Sequence, residues 1–295
     1  MECAVVLPTN EIGHDTGAVK AWAQAVDALG YDRIIAYDHV LGAVHEGREP
    51  KLAGPYTEDD PFREPMVFFG YLAGVTTRVE LMPGVIVLPQ RQTALVAKQA
   101  AEVDLLSGGR FVLGVGTGWN FVEYESLNED YRNRARRMDE QIEVMRALWS
   151  ERVVDYSGKY HRIDRAGLYP LPDRQIPIWF GGHAEPALRR CANVGDGHLF
   201  GAAGPAIEHI AGKLRAMLTD AGRDPASFPM CAQVHTGHGA EALTAQAESW
   251  KASGGSHISV STMSSKMMSA TARPCATVDD HIALLDETLQ LLRAL

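Results

Sequence analysis

Short apolar runs rich in Val, Ile and Leu alternate along this chain with longer stretches whose apolar residues recur at helical spacing. This alternation predicts a parallel sheet with helices between its strands. Eight strand-like runs, each followed by a helix, favour a closed TIM (β/α)8 barrel over an open doubly wound sheet. The predicted strands span residues 3–7, 33–37, 79–88, 110–115, 176–180, 198–200, 230–235 and 257–260.

The length of the chain fits one domain over residues 1–295, since α/β barrels routinely reach this size as a single unit. The polar segment 39–65 is too long for a plain connection, which is typical of functional loops. A small hairpin is predicted at 153–163, centred on Ser157 and Gly158. The predicted helices span 17–29, 65–75, 93–106, 131–149, 186–192 and 278–292.

Charge and composition narrow the range of partners. The net charge of −9 argues against nucleic acid or an anionic membrane surface and leaves a small-molecule substrate as the expected partner. No apolar stretch approaches the ~18 residues of a membrane span, and no signal peptide is recognisable. The four cysteines form no C-x-x-C pair and are expected to be buried apolar residues. We therefore expect a cytoplasmic protein.

Catalytic groups of such barrels lie at the C-terminal ends of the strands and in the loops that follow. Asp38 and His39 come directly after the second predicted strand, where they can supply a base, an orienting group or hydrogen bonds to a ring cofactor. The alternative is a helix-capping Asp beside a solvated His. In the third predicted strand, Pro83 and Gly84 indicate a bulge toward the barrel mouth, because Pro cannot donate to the sheet. Alternatively, that strand begins at Gly84.

Two glycine-containing loops are further candidates. The segment 114–118 allows close approach of a ligand to the backbone, and Trp119 can form a wall against a flat ring, unless it is a core residue in a tight loop. The segment 181–186 ends the fifth predicted strand in two glycines and precedes a helix. Its free amides suit a phosphate group, although a plain strand-to-helix turn gives the same pattern.

Metal and hydrolase chemistry find less support in the sequence. His235 and His238 have a metal-like spacing, but no acidic or Cys partner stands at ligand spacing nearby, so no metal site is predicted. A metal-dependent barrel hydrolase needs a His-x-His pattern on its first strand, and residues 5–7 contain none. A glycosidase needs acidic residues at strand ends, whereas Glu123 and Glu241 lie several residues past theirs.

Seven segments, taken in order, give the chain a resemblance to a known family. They are 28–32 (ALGYD), 38–39 (DH), 78–85 (RVELMPGV), 97–110 (AKQAAEVDLLSGGR), 113–119 (LGVGTGW), 177–182 (PIWFGG) and 195–197 (GDG). In this order they resemble the luciferase-like flavin oxidoreductases, and especially the branch that uses the deazaflavin coenzyme F420. The resemblance extends from Val5 to about Phe200 and fades beyond it.

The resemblance implies a specific cofactor site. A non-prolyl cis peptide is expected between Gly84 and Val85, in a bulge of the third strand that supports the central ring of the flavin. His39 is implied as the proton donor or acceptor, and Asp38 as a catalytic residue that hydrogen-bonds the ring. The full set of implied cofactor-binding residues is Asp38, Gly84, Val85, Val87, Thr117, Gly118, Asn120, Gly181, Gly182, His183 and Ala184, the last four at the cofactor phosphate.

The implied activity is hydride transfer between C5 of the deazaflavin and a small organic substrate. The alternative within the family is an FMN-dependent monooxygenase; the Asp38-His39 pair favours the deazaflavin. Some deazaflavin dehydrogenases carry a catalytic carboxylate where this chain has Trp119, which puts a sugar-phosphate dehydrogenase mechanism in doubt and makes Glu123 the candidate substitute. The resemblance also implies a homodimer.

Overall fold

A parallel sheet that closes on itself organises the molecule, in a computed structural model that describes residues 1–264 and 274–295. The strands are β1 (Glu2–Val6), β2 (Arg33–Ala36), β3 (Glu80–Pro83), β4 (Ile86–Val87), β5 (Leu113–Gly116), β6 (Val154–Ser157), β7 (Arg162–Ala166), β8 (Ile178–Gly181), β9 (Gly197–Leu199), β10 (Met230–His235) and β11 (His257–Ser261). The helices are α1 (Thr9–Ile12), α2 (Thr16–Leu29), α3 (Pro65–Val75), α4 (Thr93–Ser107), α5 (Phe121–Ser126), α6 (Arg134–Ser150), α7 (Glu185–Val194), α8 (Pro205–Asp220), α9 (Ala240–Ala252) and α10 (Val278–Arg293).

Closure of the sheet depends on a break in the third barrel strand. The order around the sheet is β3-β2-β1-β11-β10-β9-β8-β5-β4, and β3 and β4 are two halves of one strand. The lower half pairs with β2 on one side and, through Leu81 and Phe111, with the stretch before β5 on the other. The upper half pairs with β5. The eight-stranded barrel predicted from the sequence is thereby confirmed.

The break corrects two predicted strands. The continuous strand predicted at 79–88 is interrupted at Gly84 and Val85, because β3 pairs with β2 whereas β4 pairs with β5. The strand predicted at 110–115 begins only at Leu113, and residue 111 makes a single bridge. The predicted hairpin is present as the antiparallel pair β6 and β7. Helices α8 and α9, which the sequence analysis did not identify, complete the outer layer.

Alternation along each strand separates two cores. On β10, Met230, Ala232 and Val234 pack outward with the helices, while Cys231 faces the barrel interior. The same alternation directs Gln233 and, one step further, His235 into the upper end of the barrel. The interior cluster consists of Ala4, Val6, Ile35, Met82, Val112, Trp179, Leu199, Cys231 and Met263.

The lower, N-terminal end of the barrel interior is closed by a stack of side chains. The guanidinium of Arg33 lies 4.3 Å from the ring centre of Trp179 and pairs with Glu80. In barrels of this kind, ligands bind at the upper, C-terminal end. Within the described ranges, no helix has the length and low charge needed to cross a bilayer.

Candidate active site at the barrel mouth

The break between β3 and β4 forms one wall of the barrel mouth. The peptide bond between Gly84 and Val85 is cis, which confirms the geometry that the resemblance implied. The amide of Gly84 donates to the carbonyl of Ala36 over 2.8 Å and holds the break against β2. A Cβ atom on Gly116 would lie 2.6 Å from a methyl of Val85, and one on Gly181 would lie 3.1 Å from the other. Val85 fits at this position because residues 116 and 181 have no side chains.

Four glycines form what we call the glycine arc: Gly84, Gly116, Gly181 and Gly201. Their parity with the interior residues Met82, Val112, Trp179 and Leu199 places them at inward-facing positions of the third to sixth barrel strands. A Cβ on Gly84 would lie 2.3 Å from Ile35, whereas one on Gly201 would project into open space. The arc thus presents backbone and the methyls of Val85, with almost no side chains, to the centre of the mouth.

Polar side chains at the ends of the second, seventh and eighth barrel strands form what we call the polar arc: Tyr37, Gln233, His235 and Ser261. The hydroxyl of Tyr37 donates to Oε1 of Gln233 over 3.0 Å and so links β2 to β10 across the mouth. The amide of Gly237 donates to Nδ1 of His235 over 2.9 Å. Burial lowers the pKa of His235, which keeps its ring neutral near pH 7.

His39 is held by a buried carboxylate from another loop. Its Nδ1 lies 3.2 Å from Oε2 of Glu123, whose side chain is 1% exposed. Oε1 of Glu123 accepts hydrogen bonds from the amides of Val40 and Leu41, and Gln90 donates to Oε2. Burial acts to raise the pKa of Glu123, but the hydrogen bonds from His39 and the Leu41 amide outweigh it and the pKa is lowered. The ionised carboxylate can only accept, so Nδ1 carries a proton and Nε2 is left for a ligand.

Aromatic rings enclose the other edges of His39. Tyr56 and Phe62, both from the long loop 39–65, approach its ring centre to 5.3 and 4.8 Å. The ring centre of Trp119 lies 5.6 Å from that of His39, and its indole packs directly on the backbone of Gly54. These rings exclude water from the imidazole, as expected for a group that transfers a proton under control.

Asp38 lies behind the rim. One carboxylate oxygen accepts from the amide of Val87 over 2.9 Å, and the other pairs with Arg91 over 2.7 Å. Arg91 also pairs with Glu64 at the start of α3. Burial raises the pKa of the Asp38 carboxyl, and Arg91 and the Val87 amide counteract this shift. The contacts of Asp38 fix β4 and the segment after it; its hydrogen bond to a ring stays a prediction.

In the segment after β5, some residues pack against β4 and others cap α5. Gly118 has a left-handed φ of 61°, and a Cβ there would lie 2.6 Å from Val87, so these two predicted cofactor residues contact each other. The carbonyl of Thr117 accepts from the hydroxyl of Tyr124. Asn120 caps α5 through the amides of Val122 and Glu123. The cap orients α5 so that Glu123 reaches His39.

The predicted phosphate segment runs from β8 into α7. Gly182 has a left-handed φ of 111°, and Ala184 is an N-cap without a side-chain hydrogen bond. Pro186 has no N–H and the amide of Ala187 donates to the carbonyl of Ala184, so the amide of Glu185 is the donor that this end of α7 offers. Burial lowers the pKa of His183, which packs 5.9 Å from Phe200 and is neutral near pH 7. The backbone here is compatible with a phosphate group. By contrast, His235 and His238 belong to no group of three metal-binding side chains in the described residues.

Comparison with known proteins defines the class. Residues 1–279 match the family described as luciferase-like monooxygenase, and the chain belongs to this luciferase-like family. An uncharacterized protein of Mycobacterium tuberculosis, Rv0940c, is 34% identical over 210 residues, which cover 68% of this chain and 71% of that protein. Membership confirms the resemblance drawn from the seven sequence segments.

Relatives with named activities are of two kinds, monooxygenases and F420-dependent dehydrogenases. Pyrimidine monooxygenase RutA of Allorhizobium ampelinum is 32% identical over 53% of this chain and 45% of its own length. The F420-dependent glucose-6-phosphate dehydrogenase of Nakamurella multipartita is 29% identical over 60% of this chain and 50% of its own length. The fold matches an F420-dependent secondary alcohol dehydrogenase in complex with an F420-acetone adduct, with a TM-score of 0.78 at 18% identity over 99% of both chains. The protein is accordingly an oxidoreductase that uses a deazaflavin or flavin cofactor.

Proposed function

We propose that this protein is a coenzyme F420-dependent oxidoreductase that transfers hydride between C5 of the deazaflavin and a small organic substrate. The observation that carries the proposal is the neighbourhood of two features on adjacent barrel strands. One is the cis peptide between Gly84 and Val85, and the other is His39 with its Nδ1 committed to Glu123. A supported ring face beside a single-proton carrier suits coupled transfer of hydride and proton.

The residues at the mouth fit a flat tricyclic cofactor. Any side chain at Gly116 or Gly181 would collide with Val85 or displace it, so the wall under the ring stays flat. We propose Gly84, Val85 and Val87 as the support of the ring. Thr117, Gly118 and Asn120 are proposed along its side chain. Gly181, Gly182, His183 and Ala184 are proposed at its phosphate, where the backbone of this segment and the first amide of α7 supply donors.

The chemistry of the bound group is that of a deazaflavin, which exchanges hydride at C5. The chain contributes proton handling, orientation and exclusion of water. Nε2 of His39 takes or returns the proton of the substrate, and Glu123 fixes the ring so that this nitrogen is presented. Tyr56, Phe62 and Trp119 keep bulk water from the imidazole. Glu123, and not a residue at position 119, is proposed as the carboxylate of the site.

The second candidate function is an FMN-dependent monooxygenase. It is favoured by the similarity to pyrimidine monooxygenase RutA over about half of the chain. The similarity to the F420-dependent dehydrogenases covers a comparable share of the chain, so sequence alone does not separate the two. The His39–Glu123 pair favours the deazaflavin, because dehydrogenation needs a group that accepts a proton as hydride leaves.

A titration of the purified protein with F420 and, separately, with FMN decides between these functions. Fluorescence of each cofactor reports binding directly. We expect saturable binding of F420 and at least about tenfold weaker binding of FMN, a difference of about 1.4 kcal/mol. Binding of FMN with no binding of F420 would replace the proposed function by the monooxygenase.

A further inference from the structure

A cavity opens beside the polar arc, next to residues other than those proposed to hold the cofactor. It has a volume of about 290 Å³ and is lined by residues 201–203 and the side chains of Gln233, His235, His238 and Gln246. A volume of this size suits a small molecule. The cavity therefore provides room for a substrate of a few carbon atoms.

The position of this cavity relative to the ring support follows from the strand order. Going from β3 through β2, β1 and β11 to β10 takes four steps, and going from β4 through β5, β8 and β9 to β10 also takes four. In a closed barrel of eight strands, β10 thus lies diametrically opposite the break at Gly84 and Val85. A ring that rests on that break turns its open face toward Gln233.

The side-chain amide of Gln233 is oriented before any ligand arrives. Oε1 accepts the hydroxyl proton of Tyr37 over 3.0 Å, and the backbone amide of Gln233 donates to the carbonyl of Ala202. Tyr37 is a dependable donor, since burial raises its pKa to about 12. With Oε1 facing the hydroxyl of Tyr37, Nε2 points its two hydrogens elsewhere, and no partner for them is found among the described residues.

The lining of the cavity selects for uncharged ligands. None of its residues in the described part of the chain is Asp, Glu, Lys or Arg, and burial holds the ring of His235 neutral. A phosphate or carboxylate in this space would lose its hydration without gaining a cation. A hydroxyl or carbonyl oxygen needs only one or two neutral donors, which Nε2 of Gln233 offers.

We propose that the Tyr37–Gln233 pair is the binding site for the oxygen of a small uncharged alcohol or carbonyl substrate, held between the cofactor ring and β10. The inference rests on the proposed function for its reaction. On oxidation, the carbon–hydrogen bond breaks, the hydride goes to C5 of F420 and the hydroxyl proton goes to His39, leaving a carbonyl. Reduction runs these transfers in reverse.

The test combines a binding readout with kinetics. Protein labelled with 15N-glutamine is titrated with propan-2-ol, with acetone and with glucose 6-phosphate, in the presence and absence of F420. The Gln233 side-chain signal is assigned by its loss in Gln233→Leu. We expect propan-2-ol and acetone to move this signal, and glucose 6-phosphate to leave it in place.

Kinetics with propan-2-ol then compare two matched variants. Gln233→Leu is expected to raise KM about tenfold with less than about a threefold change in kcat, as for loss of one hydrogen bond to substrate. Gln290→Leu removes the same residue type from the exposed face of α10, away from this cavity, and is expected to change KM less than about twofold. The F420 affinity of both variants should equal that of the wild type.

The outcomes separate the two proposals. If F420 fails to bind but propan-2-ol still moves the Gln233 signal, the proposed function fails and the oxygen site stands. If F420 binds and the signal responds to neither propan-2-ol nor acetone, the oxygen site is wrong and the cofactor assignment stands. The oxygen site is also wrong if Gln233→Leu weakens F420 binding with KM unchanged, or if glucose 6-phosphate moves the signal more than the neutral probes.

Discussion

The two sides of the barrel mouth differ in what they present to a ligand. The glycine arc, on the third to sixth barrel strands, offers backbone and the methyls of Val85. The polar arc, on the second, seventh and eighth strands, offers a phenol, an amide, an imidazole and a hydroxyl, and His39 stands beside it. A flat cofactor needs an even wall, whereas a substrate needs directional contacts. The glycine arc therefore supports the cofactor ring, whereas the polar arc and His39 supply substrate recognition and proton transfer.

This division predicts that binding and turnover can be lost separately. Substitutions in the glycine arc should cost cofactor affinity first. Substitutions at His39 or in the polar arc should cost turnover or substrate affinity and leave the cofactor bound. The following three changes test that separation.

The largest effect is expected for His39→Ala. Loss of the proton carrier should lower kcat about 10³-fold, while the Kd for F420 stays within about twofold. Turnover is measured with the alcohol or ketone that the wild type converts, and Kd by cofactor fluorescence. His45→Ala is the matched control, because His45 also contacts Trp119 but has no bond to Glu123. Strong residual turnover would remove His39 from the mechanism, and equal losses in both variants would assign the effect to packing.

An intermediate effect is expected for Gly181→Asp. The new side chain presses on Val85 and places negative charge beside the proposed phosphate, so the Kd for F420 should rise about 100-fold. Gly181→Asn has nearly the same volume without the charge and should account for about tenfold of that loss. Equal affinities of the Asp and Asn variants would mean that the phosphate lies elsewhere. An unchanged Kd in both would contradict the support role of the glycine arc.

The smallest effect is expected for Glu123→Gln, which leaves His39 in place but removes the ionised acceptor. We expect kcat to fall about tenfold, because the ring loses its fixed orientation. The folded-state pKa of Glu123 lies below its ordinary value of 4.5. Its stabilising contribution is therefore complete above that value and is lost as the pH falls through the folded pKa.

Denaturant unfolding at a series of pH values checks the linkage. The difference in unfolding free energy between wild type and Glu123→Gln should be constant near pH 7 and shrink below about pH 4. A difference that stays constant down to pH 3 would show that Glu123 is not an ionised anchor. Unchanged kcat in the variant would exclude it as a positioning residue for His39.

The features of the fold that depend on residues close in the chain could be predicted from the sequence. The alternation of strand and helix predicted the barrel, Ser157 and Gly158 marked the hairpin, and Pro83 and Gly84 indicated a bulge at the break, whose cis bond was implied by the resemblance. Each depends on residues that are neighbours in the chain. The resemblance added the identity of the cofactor class, which no spacing rule supplies.

The hydrogen-bond partners of the site residues could not be predicted from the sequence. His39 and Glu123 are 84 positions apart, and Tyr37 and Gln233 are 196 apart. Such pairs are set by barrel closure and by the path of loops, for which a single sequence carries no local signal. The polar residues Gln233 and His235 in the otherwise apolar strand β10 were an available hint, since inward polar residues near a strand end need a partner. Asp38 was identified by position, but its contacts with Arg91 depended on the path of the chain after β4.

At Val40 and Leu41, Glu123 holds the long loop through main-chain amides. The amides of Val40 and Leu41 are bound, while their side chains are 40% and 47% exposed. Every residue except Pro carries that amide, so the loop can accumulate almost any substitution at these positions without losing its attachment. Descendants of this protein can thus change the side chains that the loop exposes, while the hydrogen bonds from its main chain to Glu123 are retained.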